Sequence, residues 1–215
     1  MKEKIVLIGS GQHARVVLYN LQEQNKYDVA CIIDGNEGKK GEKFEGYLIE
    51  GGYDDAERIK EKYNTNKFFI AFGDMKHRKE VFDLFVEKGW EPVNIIHPNA
   101  IISKNAQIGK GVLIECGCLI TPNPMIGNNV VVNTGSQVNH DNLVEDHVYI
   151  ASGVVLSGGV KIQENTLLDD GVIVTLGRKV GKNCIVGAGA VVTKDIDDNS
   201  IAYGVPAKAV RKNDN

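Results

Sequence analysis

Aliphatic residues recur at every sixth position through the second half of the chain. The first is Ile96 and the last is Val192, and all seventeen positions hold Ile, Leu or Val. These three types together fill roughly a quarter of an average sequence, so chance does not produce such a run. The positions are Ile96, Ile102, Ile108, Ile114, Ile120, Ile126, Val132, Val138, Val144, Ile150, Leu156, Ile162, Leu168, Val174, Val180, Val186 and Val192.

A second register lies four residues after each of these positions and holds mostly small or apolar residues. Its exceptions are Pro124, Asn142 and Arg178. A period of six fits neither an α-helix nor a simple strand. It fits a solenoid in which each unit is a short strand followed by a corner, with the aliphatic residue pointing inward.

Glycine and asparagine stand where such a solenoid needs tight corners, as in the segments at 127–129, 181–183 and 187–189. Both residue types tolerate turn conformations that bulkier side chains avoid. Ordinary sandwich strands would show alternating polarity and irregular turn spacing instead. The sequence therefore predicts an all-β parallel β-helix with a C-terminal tail over residues 93–215. The pattern alone leaves its handedness open.

Residues 1–92 lack the six-residue period and alternate between strand and helix patterns. Strands are predicted at 4–8, 27–33 and 68–72, and helices at 15–24, 54–63 and 77–88. This alternation is typical of a small parallel sheet covered by helices, so we expect a Rossmann-like α/β domain.

A glycine turn at Gly9 and Gly11 follows the first predicted strand. It lacks the third glycine of a dinucleotide fingerprint, so NAD binding is not predicted. A glycine turn before a helix still suits a phosphate or a nucleotide sugar, at the carboxyl ends of the strands. The alternative is a strand-to-helix turn that binds nothing. The predicted substrate-binding residues are Gly11, Gln12, His13, Asp34 and Gly73.

Composition and charge narrow the class of protein. The chain has 42% hydrophobic and 25% charged residues, a net charge of −3 and scattered basic residues. That is ordinary for a soluble protein and provides no electrostatic footprint for nucleic acid. We find no apolar run long enough for a membrane span and no signal-peptide pattern at the start. Cys31, Cys116, Cys118 and Cys184 lack metal-site spacing, which favours free buried thiols in a reducing cytoplasm.

Several segments together carry a resemblance to a known family. The chain resembles the bacterial hexapeptide-repeat acetyltransferases that modify nucleotide-linked amino sugars, such as UDP-linked 4-amino-4,6-dideoxy sugars, and the sialic acid O-acetyltransferases share their layout. The resemblance covers nearly all 215 residues. It is carried by GSGQHARVV at 9–17, CIID at 31–34, IAFGD at 70–74, NIIHPNA at 94–100, NTGSQVNHD at 133–141 and GVPAKAVRK at 204–212.

This resemblance implies that the parallel β-helix is left-handed, that acetyl-CoA is the co-substrate and that no metal is needed. It also implies a homotrimer whose active sites lie between protomers, working in glycan biosynthesis. A non-enzymatic scaffold protein and a zinc-dependent carbonic anhydrase type remain rival interpretations. The zinc site would need three histidine ligands, and His140 and His147 lie seven residues apart rather than as a close pair.

His140 is the candidate general base. It lies two residues after inward-facing Val138, so its side chain should point outward from a corner, and Asp141 follows it directly. Asn142 interrupts the small-residue register at the same place, and broken local rules are expected at functional sites. A neutral imidazole accepts a proton from an attacking amine, and a neighbouring carboxylate raises its basicity. The resemblance assigns the base to His140, its support to Asp141 and a positioning role to Asn133; the alternative is a solvated surface histidine.

Glycine and other residues of later coils are the candidates for binding the coenzyme. The amide of Gly158 suits an oxyanion donor, because glycine permits close approach of a thioester. Tyr149 stands where the family usually has a second histidine. This leaves open whether position 149 still donates a hydrogen bond to the thioester carbonyl. The resemblance places acetyl-CoA against Tyr149, Gly158, Asp170, Ala188 and Gly189. Phosphate contacts, or only a charged solvated tail, are expected at Lys194, Lys208, Arg211 or Lys212.

Overall fold

A computed structural model describes residues 2–213. They form two compact units, of which the first ends at Ile95 and the second begins at Ile96. The domain boundary expected from the sequence lies three residues earlier, after residue 92. Among the described residues, no helix is both long and apolar enough to cross a membrane.

The first unit contains six strands, three α-helices and two short 3-10 helices. The 3-10 helices are Glu37–Lys39 and Tyr53–Asp55. The strands and α-helices are, in chain order, β1 (Glu3–Ile8), α1 (Gln12–Gln24), β2 (Tyr27–Ile33), β3 (Lys43–Phe44), β4 (Tyr47–Gly51), α2 (Ala56–Tyr63), β5 (Lys67–Ile70), α3 (Met75–Glu87) and β6 (Glu91–Pro92).

These strands form one sheet in the order β3-β4-β2-β1-β5-β6, in which only the short β3 pairs antiparallel. The last four residues of β1 are fully buried, as expected for a central strand of a covered parallel sheet. The predicted α/β domain is therefore confirmed. From β1 the chain adds β2 and β4 on one side and then β5 and β6 on the other, so the topological switch point lies between β1 and β5. Ligands of such sheets bind at the switch point, beyond the carboxyl ends of the strands.

The structure differs from the sequence prediction mainly at element ends. Helix α3 begins at Met75 rather than residue 77, because the Asp74 carboxylate caps it by accepting a hydrogen bond from the amide of His77 at 2.8 Å. The β3–β4 hairpin was not predicted. It turns through Glu45 and Gly46, both in the left-handed region, with φ of 47° and 86°.

The second unit is a stack of two-residue strands. They are β7 (Ile95–Ile96), β8 (Ile101–Ile102), β9 (Gln107–Ile108), β10 (Leu113–Ile114), β11 (Leu119–Ile120), β12 (Met125–Ile126), β13 (Val131–Val132), β14 (Gln137–Val138), β15 (Leu143–Val144), β16 (Tyr149–Ile150), β17 (Val155–Leu156), β18 (Lys161–Ile162), β19 (Leu167–Leu168), β20 (Ile173–Val174), β21 (Lys179–Val180), β22 (Ile185–Val186) and β23 (Val191–Val192).

From β7 to β20 each strand pairs in parallel with the strand three places later, so consecutive strands belong to three different sheets. One coil therefore takes 18 residues and has three sides and three corners. The hairpin of β24 (Ser200–Tyr203) and β25 (Lys208–Lys212) extends the sheet that contains β22.

The aliphatic column lies inside this stack, as predicted. From Ile114 to Val192 every sixth residue is at most 4% exposed, while Ile96, Ile102 and Ile108 are partly buried against the same cluster. The second register, four residues later, is also buried from Val112 to Ala190, except at Arg178, whose side chain is 41% exposed. No coil can bury this column alone, so the coils stabilise one another by stacking.

The corners confirm the predicted role of glycine and asparagine. Every sixth residue from Gly111 to Gly189 has a positive φ, and all but two of these are Gly or Asn. The two exceptions are Asp141, with φ of 59°, and His147, with φ of 61°. Asp and His are among the few other residue types that tolerate this region.

Candidate active site

His140 lies on a corner of the coil and faces outward, as its register predicts. We call residues 139–142, with residues 121–124 and 157–160 of the adjacent coils, the His140 corner. The side chains of His140 and Asp141 are 59% and 61% exposed, and His140 Nδ1 lies 2.9 Å from Asp141 Oδ2. The carboxylate can orient the ring through Nδ1 and leave Nε2 directed outward, which is the geometry that a general base requires.

Asp141 has a second partner on the preceding coil. Asn123 Nδ2 donates to Asp141 Oδ1 at 3.4 Å. The hydrogen bond from His140, followed by that from Asn123, holds the pKa of Asp141 below its ordinary value. The carboxylate thus remains an acceptor for the imidazole at neutral pH.

Gly158 lies directly beside His140 on the following coil. A Cβ built at Gly158 would overlap Nε2 and Cε1 of the His140 ring. The ring therefore occupies space that any other residue type at position 158 would fill. This places the backbone of Gly158, the predicted oxyanion donor, next to the predicted base.

Asn142 has a structural role that the sequence did not suggest. It is 1% exposed, its Oδ1 accepts from the amide of Val160 at 2.7 Å, and its Nδ2 reaches the carbonyl of Leu156 at 3.5 Å. Ser136 makes the same kind of bridge, accepting from the amide of Val154. The break in the small-residue register at Asn142 is thus explained by packing between coils and is weak evidence for a site.

The other residues predicted for catalysis or for binding acetyl-CoA lie on a different corner of the coil. Asn133 Nδ2 donates to the hydroxyl of Tyr149 at 3.2 Å, and Asn133 Oδ1 is buried without a partner among the described residues. Asp170, Ala188 and Gly189 occupy the same corner of later coils. We call residues 133–136, with residues 151–154, 169–172 and 187–190 of the later coils, the Asn133 corner. Asp170 Oδ1 accepts from the amide of Ser152 at 3.0 Å.

Strand β14 lies between these two corners, because it begins after Asn133 and ends before His140. The described part of one chain therefore brings His140, Asp141 and Gly158 together in one place. The other predicted residues, Asn133, Tyr149, Asp170, Ala188 and Gly189, lie at a second place, along successive coils of the Asn133 corner.

A groove of about 600 Å³ on the sheet that contains β12 and β15 includes none of the predicted residues. Glu145, Asp146 and Glu164 line part of it, and carboxylates repel the phosphates of a coenzyme. This groove is therefore a poor site for acetyl-CoA.

The first unit has a pocket of about 310 Å³ at the carboxyl ends of β1 and β2. Gly11 and Asp34 line it, as predicted, whereas Gln12, His13 and Gly73 are not among its lining residues. Most of the lining residues are not among those predicted to bind the substrate. Its members are Gly9, Ser10, Gly11, Asp34, Gly35, Asn36, Tyr53, Phe72 and His77.

Asp34 is held by donors from three directions. Its Oδ2 accepts from the amide and hydroxyl of Ser10, its Oδ1 accepts from the amide of Asn36 at 3.0 Å, and Lys39 Nζ lies 3.2 Å from Oδ2. Burial alone raises the pKa of Asp34, but these hydrogen bonds outweigh it and the pKa lies below its ordinary value. Asp34 thus joins two strand ends and places the ammonium of Lys39 beside the glycine turn.

Aromatic rings form another side of this pocket. The rings of Phe72 and His77 stack with centroids 5.0 Å apart, and the Tyr53 hydroxyl lies 2.8 Å from His77 Nε2. Tyr53 and His77 are 24 residues apart, so nothing local in the sequence relates them. A planar surface beside an ammonium group suits a nucleotide base and its phosphates.

His13 belongs to the interior rather than to the pocket. It is partly buried, and burial followed by the charge of Arg78 lowers its pKa to about 4. Arg78 is itself 2% exposed and donates to the carbonyls of Ile70 and Phe72. The imidazole of His13 is therefore neutral at physiological pH.

The four cysteines are free, but the prediction that all are buried is wrong for Cys116, which is half-buried at a corner. Burial raises the pKa of Cys31 to about 12 and that of Cys118 to about 11, so neither is a thiolate nucleophile at neutral pH. Within residues 2–213, no group of three or more His, Cys, Asp or Glu side chains is arranged to hold a metal ion.

Comparison with known proteins agrees with this architecture. Residues 4–85 match the model of the PglD N-terminal domain family. A histidine-to-alanine variant of GDP-perosamine N-acetyltransferase from Caulobacter crescentus, solved with CoA and GDP-perosamine, is 32% identical, with 97% of each chain covered and a TM-score of 0.92. The acetyltransferase domain of PglB from Neisseria gonorrhoeae, solved with acetyl-CoA, is 26% identical, with 98% of this chain and 100% of that chain covered and a TM-score of 0.88.

A curated relative adds a second kind of nucleotide sugar. UDP-N-acetylbacillosamine N-acetyltransferase from Bacillus subtilis (strain 168) is 30% identical over 114 residues, which is 52% of this chain. The chain spans about half the length of this relative, since the match covers 51% of it.

The matches over almost the whole chain show the same left-handed β-helix behind an α/β domain. They also show acetyl-CoA as the co-substrate of these proteins, since CoA or acetyl-CoA is bound in two of them. On this evidence the chain belongs to the hexapeptide-repeat sugar N-acetyltransferases.

Proposed function

We propose that the protein transfers an acetyl group from acetyl-CoA to the amino group of a nucleotide-linked 4-amino-4,6-dideoxy sugar, with UDP as the nucleotide that the family resemblance implies. The observation that carries this proposal is the exposed His140 ring, whose Nδ1 is held by Asp141 while Nε2 faces Gly158. The relatives that bind GDP-perosamine or are named for a UDP-linked amino sugar support the same class of acceptor.

The reaction needs no covalent enzyme intermediate. The sugar amine attacks the thioester carbonyl, a C–N bond forms, and Nε2 of His140 accepts the proton that the nitrogen loses. The oxyanion of the tetrahedral intermediate is stabilised by the amide of Gly158. The C–S bond then breaks, and the imidazolium returns the proton to the leaving thiolate of CoA.

The acceptor's nucleotide is proposed to occupy the pocket of the first unit. The pocket lies at the N-terminus of α1, whose dipole attracts the diphosphate, and Lys39 adds a positive charge. The amides of Gly9 and Ser10 do not bind the diphosphate, because they already donate to the carbonyl of Ile33 and to Asp34. The nucleobase of the acceptor lies against the rings of Phe72 and His77. Asp34 acts mainly by holding Ser10 and Lys39 rather than by binding the nucleotide itself, because both of its oxygens already accept hydrogen bonds.

The protein is proposed to act as a homotrimer with active sites between protomers. One chain separates the His140 corner from the Asn133 corner, so a second copy is needed to bring Asn133 and Tyr149 to His140. Apolar side chains such as Ile101 and Leu176 are 69% and 67% exposed, which suits a surface covered by another copy. The free cysteines fit a reducing compartment, so we place the enzyme in the cytoplasm.

The function is tested by measuring release of free CoA over a panel of acceptors. The panel contains UDP-, GDP- and dTDP-linked 4-amino-4,6-dideoxy sugars and free sialic acid, with mass spectrometry of the products. We expect turnover of a nucleotide-linked amino sugar, with the acetyl group on nitrogen. Turnover of sialic acid alone would instead show an O-acetyltransferase, and no turnover in a protein that still binds acetyl-CoA would contradict the proposal.

A further inference from the structure

We infer that Asn123 is a positioning residue for the proposed base, acting through Asp141 to fix the orientation and tautomer of the His140 ring. This inference rests on the proposed function, in which His140 accepts the proton. Neither the six-residue pattern nor the resemblance singled out Asn123, which lies 17 residues before His140 in the sequence.

The two oxygens of Asp141 have different partners. Oδ1 accepts from Asn123 Nδ2 at 3.4 Å, and Oδ2 lies 2.9 Å from His140 Nδ1. With one donor on each oxygen, the carboxylate plane is fixed from both sides. Without Asn123 the exposed carboxylate is free to turn Oδ1 or Oδ2 toward water, and its hold on the ring weakens.

The backbone makes this arrangement possible. Asn123 and Asp141 are 18 residues apart, so they occupy the same corner position of successive coils, and both are in the left-handed region with φ of 64° and 59°. The amide of Asp141 donates to the carbonyl of Pro122 at 3.1 Å, which ties the two corners together. The two side chains therefore leave the coil side by side.

The consequence for chemistry is the position of the imidazole proton. The pKa of Asp141 is lowered, so Oδ2 is an ionised acceptor and the proton of the neutral ring lies on Nδ1. Nε2 then carries the lone pair that accepts the proton from the amine. A ring in the other tautomer would present a hydrogen to the amine and could not act as a base.

Gly158 completes the arrangement from the other side. The amide of Gly159 donates to the His140 carbonyl at 2.9 Å, which brings the backbone of the following coil against the ring. A Cβ at Gly158 would occupy the place of Nε2. Three successive coils therefore contribute to one imidazole: Asn123 below, His140 with Asp141 in the middle, and Gly158 above.

Asn165 and Asn183 show a purely structural version of this contact, whereas Asn128 and Asn129 bond to Asp146 and His147 of the next coil. Asn165 donates to Asn183 at 3.0 Å, and Asn183 donates to Asn199 at 3.0 Å, on another corner of the coil. These amides bond to each other and reach no titratable group. Asn165 is therefore a matched control, since it has a left-handed φ of 56° and one inter-coil hydrogen bond of the same type.

The test uses Asn123→Gly, which removes the amide and keeps a residue suited to the left-handed backbone. The primary measurement is the tautomer of His140 by 15N NMR of histidine-labelled protein without substrates, with the signal assigned by its loss in His140→Asn. We expect wild type and Asn165→Gly to hold the proton on Nδ1, and Asn123→Gly to move toward the Nε2–H form.

The second measurement is turnover with the acceptor found in the panel. We expect kcat of Asn123→Gly to fall about 3- to 10-fold with KM nearly unchanged, as for loss of one ordinary hydrogen bond, because the exposed contact to Asp141 is long at 3.4 Å. Asn123→Asp, which has the same shape but cannot donate when ionised, should lose at least as much. Asn165→Gly should keep the wild-type kcat even if its thermal stability falls.

The outcomes distinguish the role of Asn123 from the proposed role of His140 as the base. A wild-type tautomer and kcat in Asn123→Gly, in a protein that His140→Asn inactivates, would overturn the role of Asn123 alone. A wild-type kcat in His140→Asn would instead overturn the proposed function, on which this inference depends.

Discussion

At the level of single residues, the proposed catalysis depends on how closely the neighbouring groups fit around the His140 imidazole. Gly158 separates two possible contributions, because Gly158→Ala keeps the backbone amide that would bind the oxyanion but adds a Cβ where Nε2 now lies. We expect kcat to fall at least about 100-fold, the cost typical of displacing a catalytic group. Thermal unfolding should change little, since an exposed ring can rotate away.

A variant that kept its activity would show that the ring does not need this place. Gly153→Ala would be a poor control, since Gly153 has a φ of 68° and alanine is strained there. Asn165→Gly is a gentler comparison, because Asn165 already has a left-handed φ of 56° and lies on the corner that holds none of the predicted site residues. It should leave the position of the His140 ring unaffected.

His13 makes a pH-dependent contribution to the stability of the first unit. Its pKa is about 4 when folded and near 6.5 when unfolded, so the unfolded state binds more protons between these values. The free energy of unfolding should therefore fall as the pH is lowered from 6.5 to 4, by up to about 3 kcal/mol from this group. Urea unfolding followed by the fluorescence of Trp90, the single tryptophan, measures this in the unit that contains it.

The control for this prediction is His13→Gln, which cannot gain the proton. It should lose less stability than wild type over the same pH range. If the free energy of unfolding falls equally in the two proteins between pH 6.5 and 4, other groups cause the loss of stability at acid pH and His13 does not titrate as described.

At the scale of secondary-structure elements, the sequence predicts the coils well because the rule is local. Every sixth residue must be apolar and every corner must accept a left-handed residue, and both rules are visible without knowing what touches what. The same count of residues places Asn133 and His140 on successive corners. The β-helix and its inward column were therefore predictable almost to the residue.

The first unit was less predictable because its site depends on distant pairs. Ser10 and Asp34 are 24 residues apart, and Lys39 reaches Ser10 from 29 residues away. The β3–β4 hairpin is short and partly exposed, so it has no strong hydrophobic period. Asp34 is predicted from its place at a strand end and its spacing after the glycine turn, whereas the three residues that donate to it are not predictable from the sequence.

Asn142 shows that a broken pattern is ambiguous on its own. Because its amide bridges to Val160 of the next coil, Asn142→Ala should lower the free energy of unfolding by about 1–3 kcal/mol, the cost of leaving a buried donor unpaired. Ser136→Ala, which removes the analogous bridge to Val154, should lose a similar amount. Chemical denaturation of the two variants measures this.

Turnover should be retained by the folded fraction of Asn142→Ala. A large drop in kcat with unchanged stability would return Asn142 to the active site, where the sequence pattern had suggested it.

At the scale of the whole molecule, the proposed trimer predicts complementation between inactive variants. A His140→Asn chain lacks the base but keeps the Asn133 corner, whereas an Asn133→Ala chain keeps the base. In a mixed trimer some interfaces pair an intact His140 with an intact Asn133. Unfolding and refolding the two variants together should therefore recover activity that neither shows alone.

The control for complementation is a mixture of the two variants without refolding, which should stay inactive if subunits do not exchange. Each variant refolded alone controls for recovery from damage. Mixed trimers without activity, confirmed by differently tagged chains, would contradict an active site shared between copies.

The central claim is that His140 acts on the proton and not on binding or folding. The most direct measurement is single-turnover kinetics of His140→Asn with acetyl-CoA and the identified acceptor, beside calorimetric binding of CoA and of the nucleotide. We predict that the chemical step slows about 100- to 10,000-fold, the range typical for loss of a general base, while both dissociation constants stay within a few-fold of wild type. A chemical step near the wild-type rate would contradict the account.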